Sequence, residues 1–208
     1  MEAWGIIVAA GLGRRFGSAK HVVSLEGVPL WQRAFDALTA AGLDRVVVVG
    51  DVPGGIPGGR RRRDSVAAGL AVVPDRVASV VVHDAARPLA TPELARRVLT
   101  ALHDGEAVGV GGAIPVVAVR DTLKRVVDGR VVATVDRTEL VGVQTPQAFR
   151  REVLVAAHRA SDEDATDDAQ LLERIGATVV AVAGDPANLK VTYPDDLAVA
   201  VALLRASR

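Results

Sequence analysis

Four separated stretches of this 208-residue chain carry residue types that bind phosphate. The first, Gly11 to Lys20, places Gly11, Gly13, Arg14, Arg15 and Lys20 directly after an apolar run. The second, Gly58 to Ser65, opens on paired glycines, runs through Arg60, Arg61, Arg62 and Arg63, and ends on a hydroxyl. The third, His83 to Arg87, holds Asp84 and a cation. The fourth, Asn188 to Lys190, joins an amide to an amine. Glycines let backbone N–H groups approach phosphate oxygens. Arginine and lysine neutralise the charge, and an aspartate can hold a divalent metal that does the same. Together these are the components of a polyphosphate site.

Each stretch also has a plainer reading. Gly11, Gly13 and Gly17 miss the G-x-G-x-x-G spacing, and Asp51 comes too late to be the acidic partner of a dinucleotide fingerprint. A Walker loop fails because no glycine directly precedes Lys20. The arginine run predicts one structural or ligand-facing guanidinium near a helix start, with the others exposed. His83 reads as a hydrogen-bonded structural residue and Asp84 as the metal candidate. One of Asp167 and Asp168 caps a helix. His103 and His158 read as helix-surface residues without a function.

The elements that must position these residues alternate. "WGIIVAA", "RVVVVG" and "SVVVHD" read as buried parallel strands, "AVGVGGAIPVVAV" and "TVVAVAG" as two more. Helical spacing covers "PLWQRAFDALTAAG", "RDSVAAGLAVV", "TPELARRVLTALHDG", "REVLVAAHRA", "TDDAQLLERIG" and "YPDDLAVAVALLRAS". Thr91, Pro92, Glu93 and Gly105 supply start and stop signals for the third of these helices. Between Leu123 and Val135, Asp128-Gly129 separates two β-rich arms, a hairpin signal. The expected fold is α/β: a three-layer α/β/α sandwich with a mostly parallel sheet, interrupted by an inserted β-hairpin arm. Ligands of such sheets bind beyond the carboxyl ends of the strands, where all four stretches fall.

Composition agrees. Half the residues are hydrophobic but only 3% are aromatic, so the core is built of Val, Ala and Leu. A formal net charge of +0 argues against nucleic-acid or membrane binding driven by overall charge. The absence of cysteine excludes disulfides and thiolate metal sites. Met1-Glu2-Ala3-Trp4 lacks the basic start of a signal peptide, and a soluble cytoplasmic protein is expected.

The ordered motifs "AAGLGRRFGSAK", "GGRRRRDSVAAGL", "VVHDAARP", "AVRDTLKR", "TVDR", "QTPQAF", "TDDAQLLE" and "NLKVTYPDDL" run through nearly the whole chain. In this order they resemble the 2-C-methyl-D-erythritol 4-phosphate cytidylyltransferases of the non-mevalonate isoprenoid pathway. The resemblance implies one Rossmann-like nucleotidyltransferase domain over 1–208, with an arm at about 120–143 that swaps across a homodimer. It implies CTP and a polyol phosphate as small-molecule substrates and Mg²⁺ as cofactor. Arg15 and Lys20 fall where the family stabilises the transition state. Ala10, Gly11, Gly59 and Ser65 fall where it holds cytosine and ribose, and Gly13 and Arg87 join them as expected nucleotide-binding residues. Asp84 matches the metal-linked aspartate, with Arg87 nearby; the family's second metal carboxylate is missing here, and Asn188 is the substitute for it. Lys190 and Arg137 match residues that position the substrate phosphate. Thr122, Thr145 and Thr166 match side chains near that phosphate or the polyol. Arg137 and Thr122 flank the arm and are expected to serve the partner's site. Departures fall at Ala19 and His21 beside the loop lysine, at Arg60 after the paired glycines, at Ala118, and at Ala187, where an acidic residue is common. A cytidylyltransferase for another polyol phosphate, such as ribitol 5-phosphate, and a non-catalytic nucleotide-binding module share most of these motifs.

Overall fold

The computed structural model describes residues 2–11 and 23–206. In chain order the elements begin with β1 (Ala3–Val8), a ribbon of β2 (Ser24–Leu25) and β3 (Val28–Pro29), and α1 (Leu30–Ala40). Next come β4 (Arg45–Val49), α2 (Arg62–Ala71), β5 (Ser79–Asp84) and α3 (Pro92–Asp104). β6 (Val110–Ala118), the arm strands β7 (Leu123–Val127) and β8 (Arg130–Val135), β9 (Val141–Val143) and β10 (Gln147–Arg150) follow. The chain closes with α4 (Arg151–Ala160), α5 (Asp168–Arg174), β11 (Thr178–Ala183) and α6 (Asp195–Ala206).

The main sheet has the order β11-β6-β10-β5-β1-β4, with β9 paired to β6. β1 runs parallel to β4 and β5, and β6 parallel to β11. β10 is antiparallel to both of its neighbours, β5 and β6. The strands are apolar on both faces because both faces are covered. Successive side chains point to opposite sides, so Ile6, Val80, Val82 and Phe149 meet Val66 and Leu70 of α2, Leu154 of α4 and Leu172 of α5. Ile7, Val81, Ala113 and Ala148 meet Leu38 of α1 and Val98 and Leu102 of α3 on the other face. The three layers expected from the alternation are therefore present. A smaller cluster joins Ala200 of α6 to Leu25 and Leu30.

Local signals account for several element ends. Thr91 Oγ1 accepts from the Leu94 N–H at 3.2 Å, Pro92 opens α3, and Gly105 follows it. Asp64, in the first turn of α2, accepts from the Arg61 N–H at 3.0 Å. The arm turns at Asp128 (φ 47°) and Gly129 (φ 74°), both left-handed, as a tight hairpin of this twist requires. Its two strands form a sheet of their own and leave Val126, Val127, Val131 and Val132 exposed.

Alternation along the chain does not announce β2, β3, β9 or β10. β10 is four residues long and begins with glutamine, too short and too polar for a periodic signal. It takes its place because Ala148 and Phe149 fill opposite faces between β5 and β6, both at 0% exposure.

Candidate active site

The stretch that follows β1 and the stretch that leads into α2 meet. A Cβ on Gly58 would lie 2.3 Å from the Ala10 Cβ, and one on Gly59 would lie 2.2 Å from the Asp64 Cβ. Ser65 is buried; its Oγ accepts from the Gly59 N–H at 3.1 Å and its hydroxyl donates to the Arg61 carbonyl at 3.3 Å. The glycine turn is thus held against Ala10 at a separation no side chain permits, while Gly11, Gly58 and Gly59 stay exposed. Gly58→Ala is expected to lower unfolding stability by about 1–3 kcal/mol, because the added methyl group overpacks against Ala10 and Ser65; urea unfolding reads the change. Gly13, Arg15 and Lys20 lie outside the described residues.

At the carboxyl end of β5, Asp84 sits between two cations. Its Oδ1 accepts from Arg62 Nε at 3.0 Å and its Oδ2 from Lys190 Nζ at 2.6 Å. Burial pushes the Asp84 carboxyl up, but Arg62 and Lys190 outweigh it and hold it well below the usual carboxylate range. Arg62 also donates through Nη1 to Asp168 Oδ2 at 2.7 Å, and His158 Nε2 lies 3.0 Å from Asp168 Oδ1. Burial opposes the charge on Arg62; the two carboxylates keep it firmly protonated.

Thr145 locks the strand end from the other side. Its Oγ1 accepts from the Asp84 N–H at 3.0 Å and lies 2.8 Å from His83 Nδ1. Burial drives His83 down to about 4, with Asp84 opposing and Arg87 assisting. The unfolded chain takes up this proton near pH 6.5 and the folded chain only near 4. Stability is therefore fully present above about pH 6.5 and falls, by on the order of 3 kcal/mol, as pH drops toward 4. Urea unfolding across that window should show the slope in the native chain and lose it in His83→Gln. Asp84 and Asp168, both held low in the folded state, contribute only in a lower window, below about pH 4.

A cavity of about 330 Å³ opens beside this charge cluster. Asp84, Arg62, Lys190, Thr145 and the exposed Thr166 line it, with Gln147 and Asp167. A second cavity, about 620 Å³, shares Arg87 and Lys190 with the first and runs along Val116 and Ala118 to Asn188. Arg87 ties the two walls together: Nη1 donates to the Asn188 carbonyl at 2.8 Å and Nη2 to the Val143 carbonyl at 3.1 Å. Asn188 is fully buried; its Nδ2 donates to the Thr145 carbonyl at 2.8 Å, while its Oδ1 has no hydrogen-bond partner. Thr122 and Arg137 are exposed beside the arm and line neither cavity; Arg137 Nη1 donates to the Val119 carbonyl at 2.7 Å.

Two expectations need correction. Three of the four arginines are engaged, not one: Arg61 pairs with Asp64 and Asp162, Arg62 with Asp84 and Asp168, and the buried Arg63 donates to the carbonyls of His158, Ser161 and Glu163. The run turns inward because it starts α2 facing the carbonyl-rich end of α4. His158 is not a surface residue; its side chain is 7% exposed and its Nε2 lies against Asp168 Oδ1. Asp167 does cap α5, accepting from the Gln170 N–H at 3.0 Å, which leaves Asp168 for the buried pair.

Glycine turns, a strand-end carboxylate and converging cations lie outside the mostly parallel sheet of an α/β protein. A family model described as IspD: 2-C-methyl-D-erythritol 4-phosphate cytidylyltransferase matches residues 4–206, and the chain belongs to that family. A protein named 2-C-methyl-D-erythritol 4-phosphate cytidylyltransferase from Rhodococcus jostii is 44% identical, over 96% of this chain and 93% of that one. The bifunctional enzyme IspD/IspF of Nitratidesulfovibrio vulgaris is 42% identical over 95% of this chain; the chain spans 57% of that protein's length. The crystal structure of the 2-C-methyl-D-erythritol 4-phosphate cytidylyltransferase from Thermus thermophilus superposes with a TM-score of 0.81 at 31% identity, covering 96% of this chain and 98% of that one.

Proposed function

We propose that the chain, as one nucleotidyltransferase domain, transfers CMP from CTP to 2-C-methyl-D-erythritol 4-phosphate. An oxygen of the acceptor phosphate attacks the α-phosphorus in line. The bond to the bridging oxygen breaks, and pyrophosphate leaves with the electron pair. The observation that carries this reading is Asp84, clasped by Arg62 and Lys190 at the wall of a polar cavity. Membership of the family supports CTP and 2-C-methyl-D-erythritol 4-phosphate as the substrates.

The nucleophile is already ionised at neutral pH, so no side-chain nucleophile is required. The difficulty is an anion approaching an anion, and catalysis here is mostly positioning and charge stabilisation. In this reading Ala10, Gly11, Gly13, Gly59 and Ser65 hold cytosine and ribose, and Arg87 supports the strand end. Arg15 and Lys20 meet charge at the α-phosphoryl oxygens and the leaving group. Lys190 receives the acceptor phosphate, and Thr145 and Thr166 its polyol. Among the described residues no three His, Cys, Asp or Glu gather as a metal cluster. Asp84 nevertheless suits Mg²⁺, which takes most of its ligands from substrate phosphates and water. It would hold the ion, with the unpartnered Asn188 Oδ1 as second oxygen donor; the ion would neutralise the triphosphate.

The exposed valines of the arm support a homodimer, since a lone two-stranded hairpin is marginal in water. Arg137 and Thr122 then serve the partner's site. Lys190→Ala and Arg137→Ala homodimers should each be nearly inactive. After re-pairing, the mixture should regain roughly a quarter of native turnover, because half the dimers are mixed and hold one intact site. No recovery in mixed dimers would place Arg137 in its own protomer's chemistry.

No described helix is long and apolar enough to cross a membrane; we assign the cytoplasm as the compartment, and no nucleic-acid partner. The deciding experiment follows pyrophosphate release from CTP with methylerythritol phosphate and with ribitol 5-phosphate, each with and without Mg²⁺. Release with ribitol 5-phosphate alone would change the acceptor; release with neither would leave only nucleotide binding.

A further inference from the structure

Behind Asp84 lies a line of buried charge that the reaction above does not use. Asp168 is fully buried at the start of α5, where Asp167 already serves as the cap. Removing a carboxylate from water is costly, and such a pair is seldom a better source of stability than an apolar contact. What Asp168 supplies is geometry. Its Oδ2 takes Nη1 of Arg62 at 2.7 Å, and the same guanidinium turns Nε to Asp84 at 3.0 Å. His158 Nε2, 3.0 Å from the other oxygen, fixes the Asp168 carboxylate in turn.

Arg62 lines the cavity that must receive anions. Held by Asp84 alone, its guanidinium would be drawn onto an arriving phosphate, and Asp84 would lose its orientation. A second carboxylate, shielded from solvent, competes with that pull. We infer that Asp168 is a positioning residue for cytidylyl transfer: through Arg62 it keeps the Asp84 carboxylate in one orientation, with one oxygen on Arg62 and the other toward Lys190. His158 orients Asp168. This inference rests on the proposed reaction.

Asp168→Asn keeps the shape and removes the charge; His158→Gln perturbs the same line more gently. Asp168→Asn should lower kcat at least thirtyfold and His158→Gln three- to tenfold, estimated from the weight of pre-aimed groups. KM for CTP should move less than about threefold, and calorimetry should still find one CTP per chain. Because the effect passes through Arg62, Asp168→Asn should cost little further in an Arg62→Lys background. Independently of turnover, the Arg62 Nε–H NMR signal should be protected from exchange in the native chain and lose protection in Asp168→Asn. Near-native kcat in Asp168→Asn, additive losses in the double variant, or a fall in CTP stoichiometry matching the fall in kcat would each overturn the inference. A native chain inactive with both acceptors would instead overturn the proposed reaction, and the exchange measurement would still decide whether Asp168 holds Arg62.

Discussion

Asp84→Asn should reduce turnover by about 10²–10³-fold and lower unfolding stability by about 2–3 kcal/mol. Both effects come from one carboxylate held between Arg62 and Lys190. The asparagine fits the same space but leaves a buried guanidinium short of one anion. Complete loss of a buried partner costs about 3–5 kcal/mol; the smaller value follows because Arg62 keeps Asp168, and Lys190, with its side chain 43% exposed, returns to water. The turnover effect follows from losing the negative charge that orders both cations and suits the metal. Steady-state pyrophosphate release and urea unfolding separate the two. A variant that is less stable but turns over normally would make Asp84 a scaffold residue and nothing more.

Lys20→Ala should cost about 10²–10³ in turnover, roughly 3–4 kcal/mol at the transition state, with unfolding unchanged. Lys20 lies on a glycine-containing stretch after β1, and it enters through the chemistry: with no nucleophile to activate, pre-aimed positive charge is what the reaction demands. A folded Lys20→Ala chain with near-native turnover removes Lys20 from the mechanism. An unfolded one would show that this stretch contributes to stability, contrary to its composition.

The parts of this molecule that short-range physics controls could be read from the sequence. Thr91, Pro92 and Gly105 bracket α3 by backbone capping, Asp128-Gly129 turns the arm by its left-handed dihedrals, and the apolar runs of β1, β4 and β5 announce strands covered on both faces. The same applies to Asp84 and Lys190, which strand-end reasoning brought together and which touch at 2.6 Å. What stayed hidden depends on tertiary partners: Asp168 lies 106 positions from Arg62 and 10 from His158, and β10 is framed by β5 and β6. Nothing near Arg62 distinguishes it from Arg60, Arg61 or Arg63; Asp168 makes the distinction, and only the folded sheet supplies it. His158 sits on a helix with a polar face, and its burial comes from α5 packing across α4. β10 carried the motif "QTPQAF" but no periodicity, since a strand of four residues is recognised by its neighbours' edges and not by its own pattern.

The position of β10 has a consequence for how a newly made chain reaches this fold. As residues leave the ribosome, β1, β4 and β5 can zip together early, and β6 emerges soon after. Between β5 and β6 there is nothing to pair until Gln147–Arg150 arrives. For that interval two water-averse strands present naked hydrogen-bonding edges, the configuration that invites neighbouring polypeptides to add on. The nascent protein is therefore most vulnerable just before its keystone is made, and fragments ending short of Gln147 should precipitate where longer ones stay dispersed.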